Sequence, residues 1–228
     1  MNAGPLALIH LDPAFLIIDK PAGLLAVPGR GADKQDCLAL RVLQVWPDAR
    51  VVHRLDEATS GLMVFARGAL AQRTLGRAFE QREVGKRYVA VVHGRPAETA
   101  GLIDLPIGAD WPQRPRQRVD PDQGKPALTR WRILPTSETA AVGDGREAPT
   151  DQKNPCPDRT RLALEPMTGR THQLRVHLAA IDHPIVGDRL YGPEVAPTEV
   201  RMLLHATGLE LPHPVSGERL GFESPLPF

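Results

Sequence analysis

Short apolar runs, each ended by a proline or glycine, limit what this chain can build. With 23 prolines and 20 glycines in 228 residues, many turns and short elements are expected, because proline breaks both kinds of hydrogen-bond ladder. Leu6 to Ile9 and Phe15 to Ile18 read as two strands around an Asp12-Pro13 turn, followed by Lys20-Pro21-Ala22-Gly23. Asp36 is placed to cap a helix carrying Leu38, Val42 and Val45 on one face, with Leu43 and Trp46 beside them and Pro47 at its end. Over 69–82, Leu70, Thr74 and Ala78 with Leu75 and Phe79 predict a second amphipathic helix with arginines outward. Lys86 to His93 and Thr160 to Glu165 return to strand. Strands near both ends, no Gly-rich phosphate loop and no βαβ repeat predict an α+β fold with a mixed sheet rather than a doubly wound one.

Bulk composition excludes several classes. Hydrophobic residues at 42% and charged residues at 24% are ordinary for a globular chain. A net charge of +1 argues against a uniformly basic coat while leaving room for a local patch. Arginine outnumbers lysine 23 to 5, which suits bidentate phosphate contacts and would equally follow from a G+C-rich coding sequence. Cys37 and Cys156 lie far apart without metal-type spacing, so reduced thiols and a cytoplasmic setting are expected. The N-terminal apolar run is cut by His10 and Asp12, unlike a signal peptide. No apolar stretch is long enough to span a bilayer.

The string HRLDEATSG at 53–61 concentrates chemistry. Asp56 follows His53 and Arg54 and precedes a Thr59-Ser60-Gly61 turn, after which Leu62, Val64 and Ala66 alternate with Met63, Phe65 and Arg67 as a half-buried strand. Asp56 is thus expected on a loop at a strand end, where scaffolds commonly carry reactive groups. A partner arginine would keep it ionised as a nucleophile or base; the plainer alternative is a turn-capping aspartate.

Two later stretches differ in charge. Segment 111–132 carries Arg114, Arg116, Arg118, Lys125, Arg130 and Arg132 against Asp120 and Asp122, a local charge of +4 bounded by Trp111 and Trp131. It reads as a phosphate grip with stacking residues, or else as a solvated proline-rich loop. Segment 136–158 is acidic and rich in Gly, Pro, Ser and Thr, and is expected to be a flexible insertion. Beyond it, Met167-Thr168-Gly169-Arg170 leads into a helix THQLRVHLAAI with Leu174, Leu178 and Ile181 facing the core. Arg170, Thr171 and His172 would lie in its first turn, a place suited to an anion. His172 and His177 are five apart, which misses helical metal-ligand spacing, so they read as satisfied histidines and no metal is expected.

These residues carry a family resemblance. DKPAGLLAVPGR at 19–30, VVHRLDEATSGLMVFAR at 51–67, GKRYVAVVHG at 85–94, DLPIGADWPQRPRQ at 104–117, MTGRTHQLRVHLAAIDHPIVGDRLYG at 167–192 and LLHA at 203–206 resemble the RluA-type pseudouridine synthases over nearly the whole chain. The resemblance is to the compact branch without an N-terminal S4 RNA-binding domain. It implies one catalytic domain over 1–228, a mainly antiparallel central sheet and a cleft between two subdomains. It further implies isomerisation of uridine in structured RNA, with the tRNA anticodon stem-loop (U32) and a large-subunit rRNA hairpin (23S U746) as the expected targets. On matching positions, Asp56 takes the place of the nucleophile, Arg170 of its arginine partner and Tyr88 of the active-site tyrosine, while Arg54 would enter the stack that the target base leaves. His53, Thr59, Arg114, Arg116, Arg118, Lys125, His172 and Arg175 complete the expected RNA-contacting set.

The chemistry fits such a site. Moving ribose from N1 to C5 of uracil needs no electron, phosphate or group donor, so no cofactor is expected, and no membrane or obligate protein partner either; a monomer is the default. Base flipping costs a few kcal/mol, less in a loop than in a duplex, so a hairpin is the easier substrate. A kinase reading fails because the string is HRLD without DFG, APE or a Gly-rich loop. A glycosidase would want a second carboxylate, and only Glu57 and Asp104 offer themselves. A non-catalytic RNA-binding module would explain the arginines but not the Asp56, Tyr88 and Arg170 set.

Overall fold

The structure, a computed structural model, describes residues 6–135, 159–193 and 201–228. In chain order the elements are β1 (Ala7–Leu11), β2 (Phe15–Lys20), α1 (Leu38–Val45), β3 (Ala49–Val51), β4 (Ser60–Arg67), α2 (Gly68–Glu80), β5 (Gly85–His93), β6 (Ala100–Asp104), β7 (Ile107–Ala109), β8 (Gln117–Val119), β9 (Leu128–Ile133), β10 (Arg159–Pro166), α3 (Gln173–Ala180), β11 (Leu204–Pro212) and β12 (Arg219–Glu223). Single-turn 3-10 segments occupy Ala32–Lys34 and Trp111–Gln113. The expected α+β class holds, with mainly antiparallel strands. The chain divides into two compact units, Met1–Lys86 with Ala206–Ser224, and Arg87–His205 with Pro225–Phe228.

In the first unit the strand order is β1-β2-β4-β11, with β3 paired to β4 and β12 to β11. The expected hairpin is present: β1 and β2 pair antiparallel, Ala7 opposite Asp19 and Leu11 opposite Leu16. The predicted half-buried strand is instead buried on both faces, Ser60 through Ala66. The physical reason is its central place: Leu62, Val64 and Ala66 pack with Ala71, Leu75 and Ala78 of α2, and Met63 and Phe65 are equally enclosed on the other face. A central strand does not show the alternation of a half-exposed one. Gly61 has φ +115, and a Cβ there would run into the Ala206 backbone, so β4 can lie this close to β11 only with glycine at 61.

Two helices differ from expectation in detail. α1 is not capped by Asp36, which instead makes a bidentate ion pair with Arg41 at 2.8 and 2.6 Å. Its first amides find backbone partners, Leu38 on the Leu25 carbonyl (2.8 Å) and Ala39 on that of Ala26 (3.1 Å), so a side-chain cap is unnecessary. α2 begins at Gly68 and buries Ala71, Leu75 and Ala78, leaving Leu70 68% exposed. The apolar face therefore keeps Leu75, Ala78 and Phe79 of the expected set and takes Ala71 in place of Leu70.

In the second unit the order is β5-β10-β9-β6, antiparallel throughout, with Tyr88 opposite Leu164 and Leu164 opposite Trp131. β7 and β8 form a separate hairpin, tied to the segment after it by reciprocal Ile107–Lys125 backbone bonds of 3.0 and 2.9 Å. α3 was expected to show an apolar stripe on Leu174, Leu178 and Ile181; Gln173 through Leu178 are all buried, so polar side chains share its core contacts. The insertion expected over 136–158 lies outside the described residues. Among them, no helix is long and apolar enough to cross a membrane.

Candidate active site

Asp56 stands half-buried on the loop between β3 and β4, as the sequence implied. The loop is held by separate tethers. β3 ends at Val51, paired to Phe65, and the next inward amide of β4, Val64, donates to His53 Nε2 at 3.0 Å. The His53 ring stacks on Phe79 of α2, centroids 4.6 Å apart. Burial, with the Lys86 ammonium adding to it, pushes the imidazole pKa down to about 3, so His53 is neutral and its Nε2 stays an acceptor. On the other side of Asp56, the Glu57 carbonyl accepts both the Gly23 N–H (2.8 Å) and Lys20 Nζ (3.1 Å). Lys20, fully buried, also donates to the Pro21 and Leu24 carbonyls at 2.9 and 2.8 Å. Leu55 is buried and Thr59 N–H closes on the Asp56 carbonyl at 3.1 Å. The backbone is thus fixed immediately before and after the carboxylate.

Arg170 lies in the turn between β10 and α3, ahead of the helix rather than within its first turn, with His172 at the N-cap. A chain of neutral hydrogen bonds builds this turn. The Leu105 carbonyl accepts from His177 Nε2 (2.9 Å), which leaves Nδ1 to accept the Thr129 hydroxyl (2.9 Å). Thr129 Oγ1 accepts Gln173 Nε2 (3.0 Å), and Gln173 Oε1 accepts the Thr168 hydroxyl (2.7 Å) and the Arg170 N–H (3.0 Å). Thr168 Oγ1 in turn accepts the Leu128 N–H at 2.9 Å, and Gln173 Nε2 also reaches the Leu128 carbonyl at 3.0 Å. Burial lowers the His177 pKa, the Leu105 carbonyl and Asp104 opposing it, which keeps the relay uncharged. Arg170 Nε donates to the Pro126 carbonyl at 3.0 Å. Gln173, Thr129, Thr168 and His177 were not singled out from the sequence as the residues that shape the site; the signal available was a glutamine three positions after Arg170, a capping-box spacing.

The other expected residues divide by exposure. Arg54 is exposed, and Tyr88 is half-buried on β5. In the basic segment Arg114 is exposed and lies over the exposed Trp111 ring, 3.6 Å from its centroid. Arg116 Nη1 donates to Gln113 Oε1 at 3.0 Å, Arg118 pairs with Asp120 at 3.2 Å, and Lys125 is exposed. This segment is a hairpin with a 3-10 turn rather than a structureless loop. Trp131, expected to stack on RNA at its far end, is 7% exposed within β9 and belongs to the core. Three expected RNA contacts are also taken up within the fold. Thr59 is 3% exposed, His53 is committed to Val64 and Phe79, and Arg175 is buried in a bidentate pair with Asp188 at 2.8 and 2.8 Å. Buried charges need partners, and Arg175 has spent its guanidinium on one. Among the described residues no three His, Cys, Asp or Glu side chains are grouped to hold a metal ion; His172 Nδ1 lies 2.7 Å from the Tyr191 hydroxyl instead.

A family model described as RNA pseudouridylate synthase matches residues 14–180, which includes both turns. The chain belongs to that family. Curated relatives include the dual-specificity RNA pseudouridine synthase RluA of Escherichia coli strain K12, 43% identical over 225 residues covering 98% of this chain and 94% of that protein. The protein of the same name from Yersinia pestis is 41% identical, covering 94% of this chain and 96% of the relative. Among solved structures, human RNA pseudouridylate synthase domain containing 1 superimposes with a TM-score of 0.75 at 29% identity, covering all of this chain and 87% of the human one. As a pseudouridylate synthase the chain is an isomerase acting on RNA, and the two turns just described carry the HRLD and TGRTHQLR strings that marked the resemblance.

Proposed function

We propose that this synthase converts uridine to pseudouridine at U32 of the tRNA anticodon stem-loop and at U746 of 23S rRNA, with Asp56 as nucleophile. The observation that supports the choice of targets is the near end-to-end match to proteins named dual-specificity RluA, 43% identical across 98% of this chain. The reaction is a rearrangement: the N1–C1′ bond breaks, a C5–C1′ bond forms, C5 loses its proton and N1 gains one. One carboxylate suffices to carry the intermediate, attacking either C1′ or C6 of the flipped nucleoside. Arg170 takes the part of the guanidinium that keeps this carboxylate ionised and aimed, through charge-assisted hydrogen bonds. Tyr88 stacks on uracil and assists removal of the C5 proton. Arg54 fills the stack vacated by the target base, and Arg114, Arg116, Arg118 and Lys125 hold phosphates. The enzyme acts as a cytoplasmic monomer without a cofactor.

The deciding experiment is site-resolved mapping of pseudouridine in tRNA and rRNA from cells lacking the protein. Loss at U32 and U746 and nowhere else is expected. Retention of both, with loss at another uridine, would reassign the target while keeping the activity. Tritium release from 5-labelled stem-loop RNA by the pure protein, with nothing added, tests the reaction itself.

A further inference from the structure

The segment GDRLYG at 187–192 ends near Tyr191, a residue to which the chemistry above gives no part. The Tyr191 hydroxyl accepts the Gln117 N–H of β8 at 2.7 Å and lies 2.7 Å from His172 Nδ1. With its own proton directed at Nδ1, this one oxygen uses both its accepting and its donating capacity. It thereby links the arginine hairpin to the residue two positions after Arg170. Two guanidinium groups approach the ring, Arg175 Cζ at 5.1 Å and Arg116 Cζ at 5.5 Å from its centroid. It packs against the small apolar cluster of Ile107, Ala127 and Val176. The Arg175–Asp188 pair, buried to 6% and 0% side-chain exposure, shapes the turn beneath it, because Asp188 Oδ1 also accepts the N–H groups of Leu190 (2.9 Å) and Tyr191 (3.2 Å). His172, the other end of the link, has φ 55, a left-handed conformation uncommon outside glycine.

We infer that Tyr191 is a positioning residue for RNA: it holds β8, and with it Arg114, Arg116 and Arg118, in fixed register with the Arg170 turn. Phosphates gripped by the hairpin then present the target nucleoside to the turn at one set distance. The inference rests on the pseudouridine-forming role proposed for this chain. It explains why the Arg175 and Asp188 charges are buried together: their pair builds the platform on which the tyrosine stands.

Tyr191→Phe keeps the ring and removes the link. In the free protein, hydrogen exchange at the Gln117 amide should accelerate at least about tenfold, since its only described acceptor is lost. With tRNA anticodon stem-loop RNA, KM should rise about tenfold while kcat stays within about twofold, the pattern of lost uniform binding. When Arg114 and Arg116 are both alanine, the same substitution should change KM by less than about twofold, because the groups it positions are gone. His172→Gly removes the other end of the link, suits φ 55, and should raise KM in the same direction. Unchanged amide exchange, or a KM effect that persists undiminished without the arginines, overturns the positioning role. Exchange is read without RNA, so wild-type protein that forms no pseudouridine would sink the functional proposal and leave this link to be decided separately.

Discussion

The Asp56 loop and the Arg170 turn are held by opposite strategies. Around Asp56, His53 holds Val64 on one side while Lys20 and Gly23 share the Glu57 carbonyl on the other, and the two sides do not hydrogen-bond each other in the contacts described. Around Arg170, Leu105, His177, Thr129, Gln173 and Thr168 form one connected relay in which each neutral group satisfies the next. Independent tethers fail one at a time and their losses add, whereas a buried relay fails as a unit because removing one member leaves its neighbours unsatisfied. The Asp56 loop is therefore tunable and the Arg170 turn is all-or-none.

The substitution with the largest expected effect touches neither set of contacts. Asp56→Asn should leave stem-loop RNA binding within about threefold and reduce tritium release from 5-labelled uridine RNA by about 10³-fold or more, as removal of a nucleophile does. Appreciable turnover would take the nucleophile role away from Asp56 and leave its tethers as mere loop architecture.

The relay is tested next. Gln173→Leu strands the Arg170 N–H and the Thr168 O–H and takes one donor from Thr129 Oγ1, at a cost of about 3 kcal/mol in urea denaturation. Thr129→Val added to it takes the remaining donor from His177 Nδ1 but no longer costs the Gln173 contact, so the double variant should lose less than the sum of the two singles. Full additivity of the two would dissolve the distinction between the regions.

The arginine hairpin lies on the smaller scale. Arg114→Ala with Arg116→Ala should weaken stem-loop binding about tenfold and lower the salt slope, the change of log affinity with log salt, by about 1.5, two phosphate contacts' worth. An unchanged slope would make the Arg114–Trp111 stack and the Arg116–Gln113 bond ordinary surface contacts.

What the sequence showed of this site depended on where each residue's partner lies. Asp56, Arg170 and Tyr88 were singled out from the strings they sit in, and the loop position of Asp56 followed from the strand after it. The partners of Gln173, Thr129 and His177 are 44, 48 and 72 positions apart along the chain, so no local pattern announces them. The same cause misplaced Arg175, His53 and Thr59: a basic or polar side chain in a functional string looks available until tertiary packing supplies Asp188, Val64 or simple enclosure. Trp131 was misassigned because its segment reads as a charged loop, while cross-strand pairing with Leu164 places it inside. The helices were found but with one face position exchanged or the cap replaced, since backbone carbonyls from Leu25 and Ala26 did what Asp36 was expected to do.

The smallest expected effect concerns pH. His53 is neutral in the fold, its pKa held near 3 by burial and then by Lys86, while an unfolded imidazole titrates near 6.5. Between those values the unfolded chain binds a proton that the folded one does not, so stability is complete above about pH 6.5 and falls as pH drops toward 3. One group contributes at most ~1.4 kcal/mol per pH unit to that fall. His177 acts in the same direction, because burial lowers its pKa as well. His53→Gln offers Val64 an acceptor that does not titrate, and loses the ring stack on Phe79 at about 1 kcal/mol near neutrality. Urea midpoints measured from about pH 7.5 to 4.5 should therefore start lower in the variant and decline less steeply, the remaining slope belonging to the relay's histidine and to carboxylates common to both proteins. Parallel declines would mean that His53 takes up its proton while still folded, and its Nε2, then a donor, could not be the acceptor that tethers Val64.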